Sequence, residues 1–268
     1  KQRMERYAQE AAPLAQEAAS RALGDSGLRA AVITQLITVS CTGFVAPGID
    51  LALIKRVGLA ATVGRTHIGF MGCHGALNGL RVASAFVQAN PNTRVLLCAV
   101  ELCSLHFRYG WDPEKVVANA LFADGAGAMV LASDAEASRG AWGVVASGSC
   151  LVPDSDEAMT WRIGDHGFEM TLSARVPAVI RAHLRSWLEP WLHQSGLTLR
   201  EVRSWAIHPG GPRILDAVAA ALDLPEDATA LSAQVLAECG NMSSATMLFI
   251  LERLRQRDAP PPCVARGF

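Results

Sequence analysis

Three residues in this 268-residue chain, Cys73, His208 and Asn241, have side chains and surroundings suited to thioester chemistry. Cys73 stands in Met71-Gly72-Cys73-His74-Gly75, where a strand should end and an apolar helix begin. A thiol at a helix N-terminus feels the positive end of the macrodipole, which lowers its pKa and raises the thiolate fraction. The small neighbours would let a bulky thioester approach. The competing reading is a structural cysteine buried beside a tight turn, a common place for a free thiol. His208 opens His208-Pro209-Gly210-Gly211-Pro212, a corner stiffened by proline and slimmed by glycine. Asn241 follows Gly240 and precedes Ser243, Ser244 and Ala245, again with little side-chain bulk. A lone His or Asn in a loop is more often structural than catalytic. A Cys, a His and an Asn, each in its own glycine-rich corner, form a more unusual set.

These types suit one another chemically. A thiolate gains stability from a nearby imidazolium. A thioester carbonyl under attack, or an enolate left by decarboxylation, develops negative charge on oxygen. An imidazole Nε2–H and a carboxamide NH₂ can stabilise it, and one good donor is worth about 3–4 kcal/mol. Loss of CO₂ generates a carbanion without a carboxylate base.

The elements that would position these corners alternate. Ala and Leu at helical spacing predict an amphipathic helix over residues 1–23, ended by Asp25-Ser26-Gly27. Ala30–Val39 reads as a buried strand, 49–57 as a short helix and His67–Phe70 as a strand. A helix then runs from the Cys73 corner to about Ala89, followed by a strand over Arg94–Val100. Gly125–Leu131 and Trp142–Cys150 read as further strands, and the stretch after Met170 as a helix to about His193. Ser204–Ile207 is a strand that ends at His208, and a second strand, loop and helix surround Asn241, with the helix over Met242–Leu254. Both corners thus fall just past strands, where ligand sites gather in α/β folds. The alternation argues for parallel βαβ units. The polar stretch Ser133–Gly140 marks an internal boundary, giving halves 1–133 and 134–268.

Composition narrows the function classes. Half of the residues are hydrophobic and 18% are charged, enough apolar material for a sizeable core. A net charge of -1 gives no general attraction to nucleic acid or anionic membrane, and Arg253, Arg255 and Arg257 read as a solvated helix face. Seven cysteines in a chain of this length, without a Cys-x-x-Cys pair, fit reduced thiols in a cytoplasmic protein and no structural zinc. The longest uncharged stretch, Ala30–Ile49, contains Gln35, Pro47 and Gly48 and is poor material for a membrane span.

Five segments carry a family resemblance. They are Val39-Ser40-Cys41-Thr42-Gly43-Phe44, Gly72-Cys73-His74-Gly75, the run Ala120–Ala128 containing Phe122, Ile207-His208-Pro209-Gly210-Gly211-Pro212, and Gly240-Asn241-Met242-Ser243-Ser244-Ala245. In this order they resemble the chalcone and stilbene synthases, type III polyketide synthases, in their bacterial branch. The resemblance implies a thiolase-like α/β fold layered α/β/α/β/α and an acyltransferase that extends an acyl-CoA starter with malonyl-CoA. Cys73 would carry the acyl chain, while His208 and Asn241 would drive decarboxylation. Phe122 matches the gatekeeper phenylalanine, and Cys41, Cys103, His106, Met170 and Gly211 would contact substrate. No metal or prosthetic group is implied, and a homodimer is. Lys1 falls well inside the family's first half and Phe268 inside its Gly-Phe-Gly-Pro-Gly segment, so the chain resembles one incomplete at the N-terminus and just short of the C-terminus.

The chain departs from the plant enzymes at the cavity. Cys41, Cys103 and His106 stand where those enzymes have threonine, and Ala46 where they have methionine. Cys41 could be a second catalytic thiol or a wall residue. The Leu102-Cys103-Ser104 segment resembles synthases of alkylpyrones or alkylresorcinols from fatty acyl starters. A ketoacyl-ACP synthase III-like enzyme shares the fold and the Cys/His/Asn set, but would resemble His-Gln-Ala-Asn and Gly-Asn-Thr-Ser at the last two corners. A papain-like protease would place a cysteine three residues before the nucleophile, where Phe70 stands. A thiolase-fold protein with a dead site is the remaining reading.

Overall fold

Alanine spacing decides how the first helix packs. In α1 (Gln2–Ser26), Tyr7, Ala11, Ala15, Ala19 and Leu23 recur four residues apart and all are buried. This small-residue stripe lets the helix lie close against a sheet. The helix ends at Gly27, whose φ of 70° and N–H bond to the Gly24 carbonyl make a left-handed cap. The computed structural model describes residues 1–108, 110–111, 113–136, 140–164 and 167–268.

The first half continues as β1 (Gln35–Ser40), α2 (Ile49–Val57), β2 (Gly64–Gly69), α3 (Gly75–Ala89), β3 (Val95–Leu102), α4 (Pro113–Leu121) and β4 (Asp124–Leu131). Its sheet has the order β2-β1-β3-β4. β1 pairs in parallel with both β2 and β3, while β4 runs antiparallel to β3. The expected βαβ units therefore account for three of these strands.

The second half holds a hairpin, β5 (Met159–Gly164) with β6 (Gly167–Leu172), then α5 (Val176–Gln194), β7 (Ser204–Ile207), α6 (Pro212–Leu222), α7 (Ala230–Cys239), α8 (Thr246–Gln256) and β8 (Cys263–Arg266). β7 and β8 pair in parallel. Three apolar clusters give the stacking order. One joins α1 and α2 to a face of the first sheet through Leu36, Leu53 and Leu96. A second packs α3 and α8 between the other face and β7, through Ile37, Ala83, Ile250 and Ala206. A third joins α5 and α6 to the outer side of β7 and β8, through Leu188, Val218, Trp205 and Val264. The layers are thus α/β/α/β/α. No described helix is long and apolar enough to cross a membrane.

The structure corrects several expectations. Ala30–Val32 is a 3₁₀ turn closed by the Val32 N–H to the Arg29 carbonyl, and the strand starts only at Gln35. Trp142–Cys150 lies unpaired and largely exposed, with Val145 85% accessible, because no described strand offers its backbone a ladder. Asn241 does not follow a strand; α7 delivers it. The β5–β6 hairpin precedes the helix placed after Met170, and Met170 itself lies in β6. The helix placed over Met242–Leu254 begins at Thr246. Of the boundary segment Ser133–Gly140, residues 137–139 lie outside the described residues.

Candidate active site

Three parallel strands end together and bring three thiols with them. β1 runs into Cys41, β2 into the 3₁₀ turn Gly72–His74 that holds Cys73, and β3 into the 3₁₀ turn Cys103–His106. β1 lies between its neighbours, and the connections from it and from β2 leave on opposite faces of the sheet. The carboxyl end of such a switch point is where α/β sheets open a crevice. The Cys41 thiol donates to the Gly72 carbonyl at 3.7 Å. The turn before Cys73 is tight: Phe70 has φ 55° and Gly72 φ 63°. A left-handed Phe70 costs on the order of 1 kcal/mol, which the surrounding packing must hold.

The Asn241 corner arrives from the other half of the chain. Its backbone N–H donates to the Leu121 carbonyl at 2.8 Å, and its own carbonyl accepts from Ala123 N–H at 2.9 Å. The side-chain Oδ1 accepts from Ser243 N–H at 2.9 Å. With its oxygen engaged there, the carboxamide offers its NH₂ elsewhere, and both it and the Ser243 side chain act to lower the Cys73 thiol. Thr246 Oγ1 accepts from Met242 N–H at 2.8 Å and fixes the start of α8. The corner has no room for bulk: a Cβ on Gly125 would stand 2.3 Å from Met242 Sδ. Ser243 has φ 49°, a second strained residue beside the sulfur.

His208 follows β7 as expected and is buried. Its backbone N–H donates to the Arg266 carbonyl at 2.8 Å. Among the described residues neither ring nitrogen has a hydrogen-bond partner, so the imidazole does not hydrogen-bond the Cys73 sulfur. What ties it to this region is the end of β8: Arg266 takes the His208 N–H, and a Cβ on the next residue, Gly267, would stand 2.7 Å from His74 Cβ.

The electrostatics reverse the expected thiolate–imidazolium pair. Burial pushes the Cys73 thiol up to about 11, with the Glu101 carboxylate adding to the rise and the Ser243 and Asn241 hydrogen bonds opposing it. Burial and the charge of His74 push His208 down to about 3. The resting pair is a thiol and a neutral imidazole. Cys73 also precedes α3, which starts only at Gly75, so the thiol is not on the helix's first turn.

Sequence reasoning passed over Glu101. It is buried on β3 and accepts from Cys41 N–H at 2.9 Å, Thr42 Oγ1 at 2.8 Å, Ser40 Oγ at 3.4 Å and, in a short contact, Ser244 Oγ. Tyr7 O–H donates to Ser40 Oγ at 2.6 Å, which extends the network to α1. One carboxylate thus pins both the Cys41 corner and the Asn241 corner. The signal was available: a single Glu inside the apolar run Val95–Cys103 must be paired if buried.

The other predicted substrate residues divide. Phe122, Cys103, His106 and Met170 line one cleft together with Trp161 and Phe168. Its volume is about 40 Å³, room for a few waters rather than an extended chain. Cys41 does not line it, but its carbonyl accepts from Trp161 Nε1 at 2.7 Å. Gly211 stands apart, at the start of α6, where a Cβ would lie 3.4 Å from Leu121 Cδ1. Burial raises the Cys41 and Cys103 thiols, and Glu101 raises both further.

Comparison with known proteins gives the same frame. The chain is 40% identical over 251 residues to 1,3,6,8-tetrahydroxynaphthalene synthase of Streptomyces peucetius subsp. caesius, covering 93% of this chain and 67% of that one. It is 33% identical over 268 residues to the alpha-pyrone synthesis polyketide synthase-like Pks18 of Mycobacterium tuberculosis, covering 99% and 68%. The crystal structure of PKS-I from the brown alga Ectocarpus siliculosus superposes with a TM-score of 0.92 at 37% identity, over 96% of this chain and 68% of that one. That of 1,3,6,8-tetrahydroxynaphthalene synthase from Streptomyces coelicolor A3(2), a bacterial type III polyketide synthase, does so at 0.89 and 30%, over 96% and 73%. The thiolase-like layering is theirs as well. The family models for the N-terminal and C-terminal domains of chalcone and stilbene synthases match residues 1–135 and 143–265, and the chain belongs to that family.

Proposed function

We propose that the chain catalyses decarboxylative condensation of thioesters as a type III polyketide synthase, with Cys73 as nucleophile and His208 and Asn241 as the charge-stabilising pair. The observation that carries this reading is the Asn241 carboxamide, whose oxygen is held by Ser243 N–H so that its NH₂ is left for charge developing near Cys73, whose thiol it lowers. The starter acyl group passes from CoA to Cys73. The thiol proton leaves with the departing CoA thiolate, which is released as CoA thiol. Malonyl-CoA then loses CO₂, and the enolate oxygen is stabilised by Asn241 NH₂ and the His208 N–H. The resulting carbanion attacks the Cys73 thioester, the C–S bond breaks, and the released thiolate regains a proton. A neutral imidazole suits this task, since it presents an N–H donor. This chemistry needs no metal or prosthetic group.

The relatives include enzymes named for tetrahydroxynaphthalene and for α-pyrone synthesis. The resemblance at Leu102-Cys103-Ser104 favours fatty acyl starters and alkylpyrone or alkylresorcinol products. Halves 1–133 and 134–268, a homodimer and a cytoplasmic location belong to the same proposal. Malonyl-CoA decarboxylation in Cys73→Ala and His208→Gln variants tests it. Cys73→Ala should still release CO₂ but form no condensation product, while His208→Gln should lose both. Decarboxylation that survives in His208→Gln removes the reading. Failure of fatty acyl-CoA to load where short aromatic starters do removes the starter assignment alone.

A further inference from the structure

The β5–β6 hairpin forms one wall of the cleft through Trp161, Phe168 and Met170, yet it is a separate two-stranded sheet. A lone hairpin is marginal in water and needs something to dock on. His106 supplies part of that. Its Nδ1 accepts from Phe168 N–H at 3.0 Å, so that nitrogen carries no proton. The proton is therefore on Nε2, which donates to the Thr42 carbonyl at 2.6 Å. One neutral tautomer thus bridges the loop after β1 to the first turn of β6. The His106 ring stacks on Phe168 at 4.5 Å and meets the edge of Trp161 at 5.3 Å. Gly167 makes the approach possible: a Cβ there would stand 3.2 Å from His106 Nδ1 and 2.9 Å from Arg3. The second tie is Trp161 Nε1 to the Cys41 carbonyl, and the Arg108–Glu169 ion pair is the third.

We propose that His106 is a positioning residue that latches the β5–β6 hairpin over the cleft and thereby limits the length of acyl chain the cleft accepts. The inference rests on the functional reading above, because it assumes that the chain on Cys73 grows into this cleft. With the hairpin docked the space is about 40 Å³, so the position of the hairpin sets how much chain the cleft holds.

Three variants separate latch from filler. His106→Asn keeps an acceptor near the Nδ1 position. His106→Gln keeps a donor near Nε2 but loses the acceptor for Phe168 N–H. His106→Leu loses both. Hydrogen exchange of the peptide spanning 159–172 should speed up in the Leu and Gln variants and return towards wild type in Asn. The ratio of kcat/KM for long over short acyl-CoA starters should rise about tenfold in Leu and Gln, the scale of a few methylenes of pocket discrimination, and fall back in Asn. Should Leu fail to fold, Gln carries the same comparison. Unchanged exchange overturns the proposal, and so does faster exchange with an unchanged starter ratio, since a merely structural role would lower both rates together. An Asn variant that behaves like Leu overturns it as well. If wild type never acylates Cys73, by mass of the intact protein, the functional reading fails, while the exchange arm still decides the latch.

Discussion

Phe122 and Asn241 share a parallel β-bridge made of backbone alone. The cleft-lining aromatic and the Asn241 carboxamide are therefore carried by paired backbone, although 118 residues separate them in sequence. The bridge uses no side-chain atom of either residue, so a substitution at Asn241 removes none of its hydrogen bonds.

Asn241→Ala should cut malonyl-CoA decarboxylation about 10²–10³-fold, the loss expected for one preorganised donor. Transfer of a starter acyl group to Cys73, followed as the mass of the protein, should fall less, because it does not depend on the enolate. A variant that decarboxylates within tenfold of wild type would show that the carboxamide does not face the developing charge.

Alkylation of Cys73 should report its burial. With the thiol pushed up to about 11, the thiolate fraction at neutral pH is small and rises about tenfold per pH unit below that value. The rate of iodoacetamide labelling at Cys73 should therefore climb steadily from pH 6 to pH 9 without a plateau. Ser243→Ala should slow it further, since the Ser243 hydrogen bond lowers the thiol. A plateau reached below pH 7 would mean a thiolate–imidazolium pair and would contradict a resting thiol and a neutral imidazole.

Much of this site was legible because its signals were local. The helix 49–57 and the strand Ser204–Ile207 follow from short apolar runs with glycine or proline at their ends, and the structure has both within those bounds. The three corners stand out because glycine and proline cluster around a polar residue. What was not legible depends on partners distant in sequence. Trp142–Cys150 has the composition of a strand, but composition does not supply a neighbouring ladder. The segment before Asn241 read as a strand, whereas it is the end of α7, and the bridge that fixes Asn241 depends on Phe122, a partner the local sequence does not name. The resting protonation of Cys73 and His208 follows from burial, which spacing cannot give. Glu101 was readable in principle, but only by asking what an isolated carboxylate in an apolar strand must touch.

Glu101 should leave a mark on stability against pH. Burial raises its carboxyl to about 6 from an ordinary 4.5, despite four opposing hydrogen bonds. The folded protein thus holds this proton more tightly than the unfolded chain. Its stability is least affected below pH 4.5 and falls as pH rises through 4.5 to 6, by about 2 kcal/mol in all. Glu101→Gln cannot ionise. Urea unfolding at pH 4 and pH 7 should show the variant gaining about 2 kcal/mol relative to wild type across that interval, whatever the offset from lost acceptors. A difference that stays constant with pH would place the carboxyl's pKa near its ordinary value.

Gly240 should be a sensitive position beside the site. Its φ of 72° and ψ of -175° lie in a region almost confined to glycine, and α7 must turn there to present Asn241. A Cβ would also stand 2.7 Å from Ala123 Cβ and 3.3 Å from the Leu121 carbonyl, both on the segment that pairs with Asn241. Gly240→Ala therefore sets backbone strain of about 1–3 kcal/mol against the bridge itself. Relief of the clash must push Asn241 away from Phe122. Thermal unfolding should shift down by about 5 °C or more, and decarboxylation should fall with it, as in Asn241→Ala. Gly24→Ala is the control: it lies inside α1 with nothing within 4 Å of the new methyl and no positive φ, so it should leave the midpoint unchanged or raise it. Equal midpoints for the two variants would mean that the turn at Gly240 can relax without strain, and that the bridge does not hold Asn241 in place.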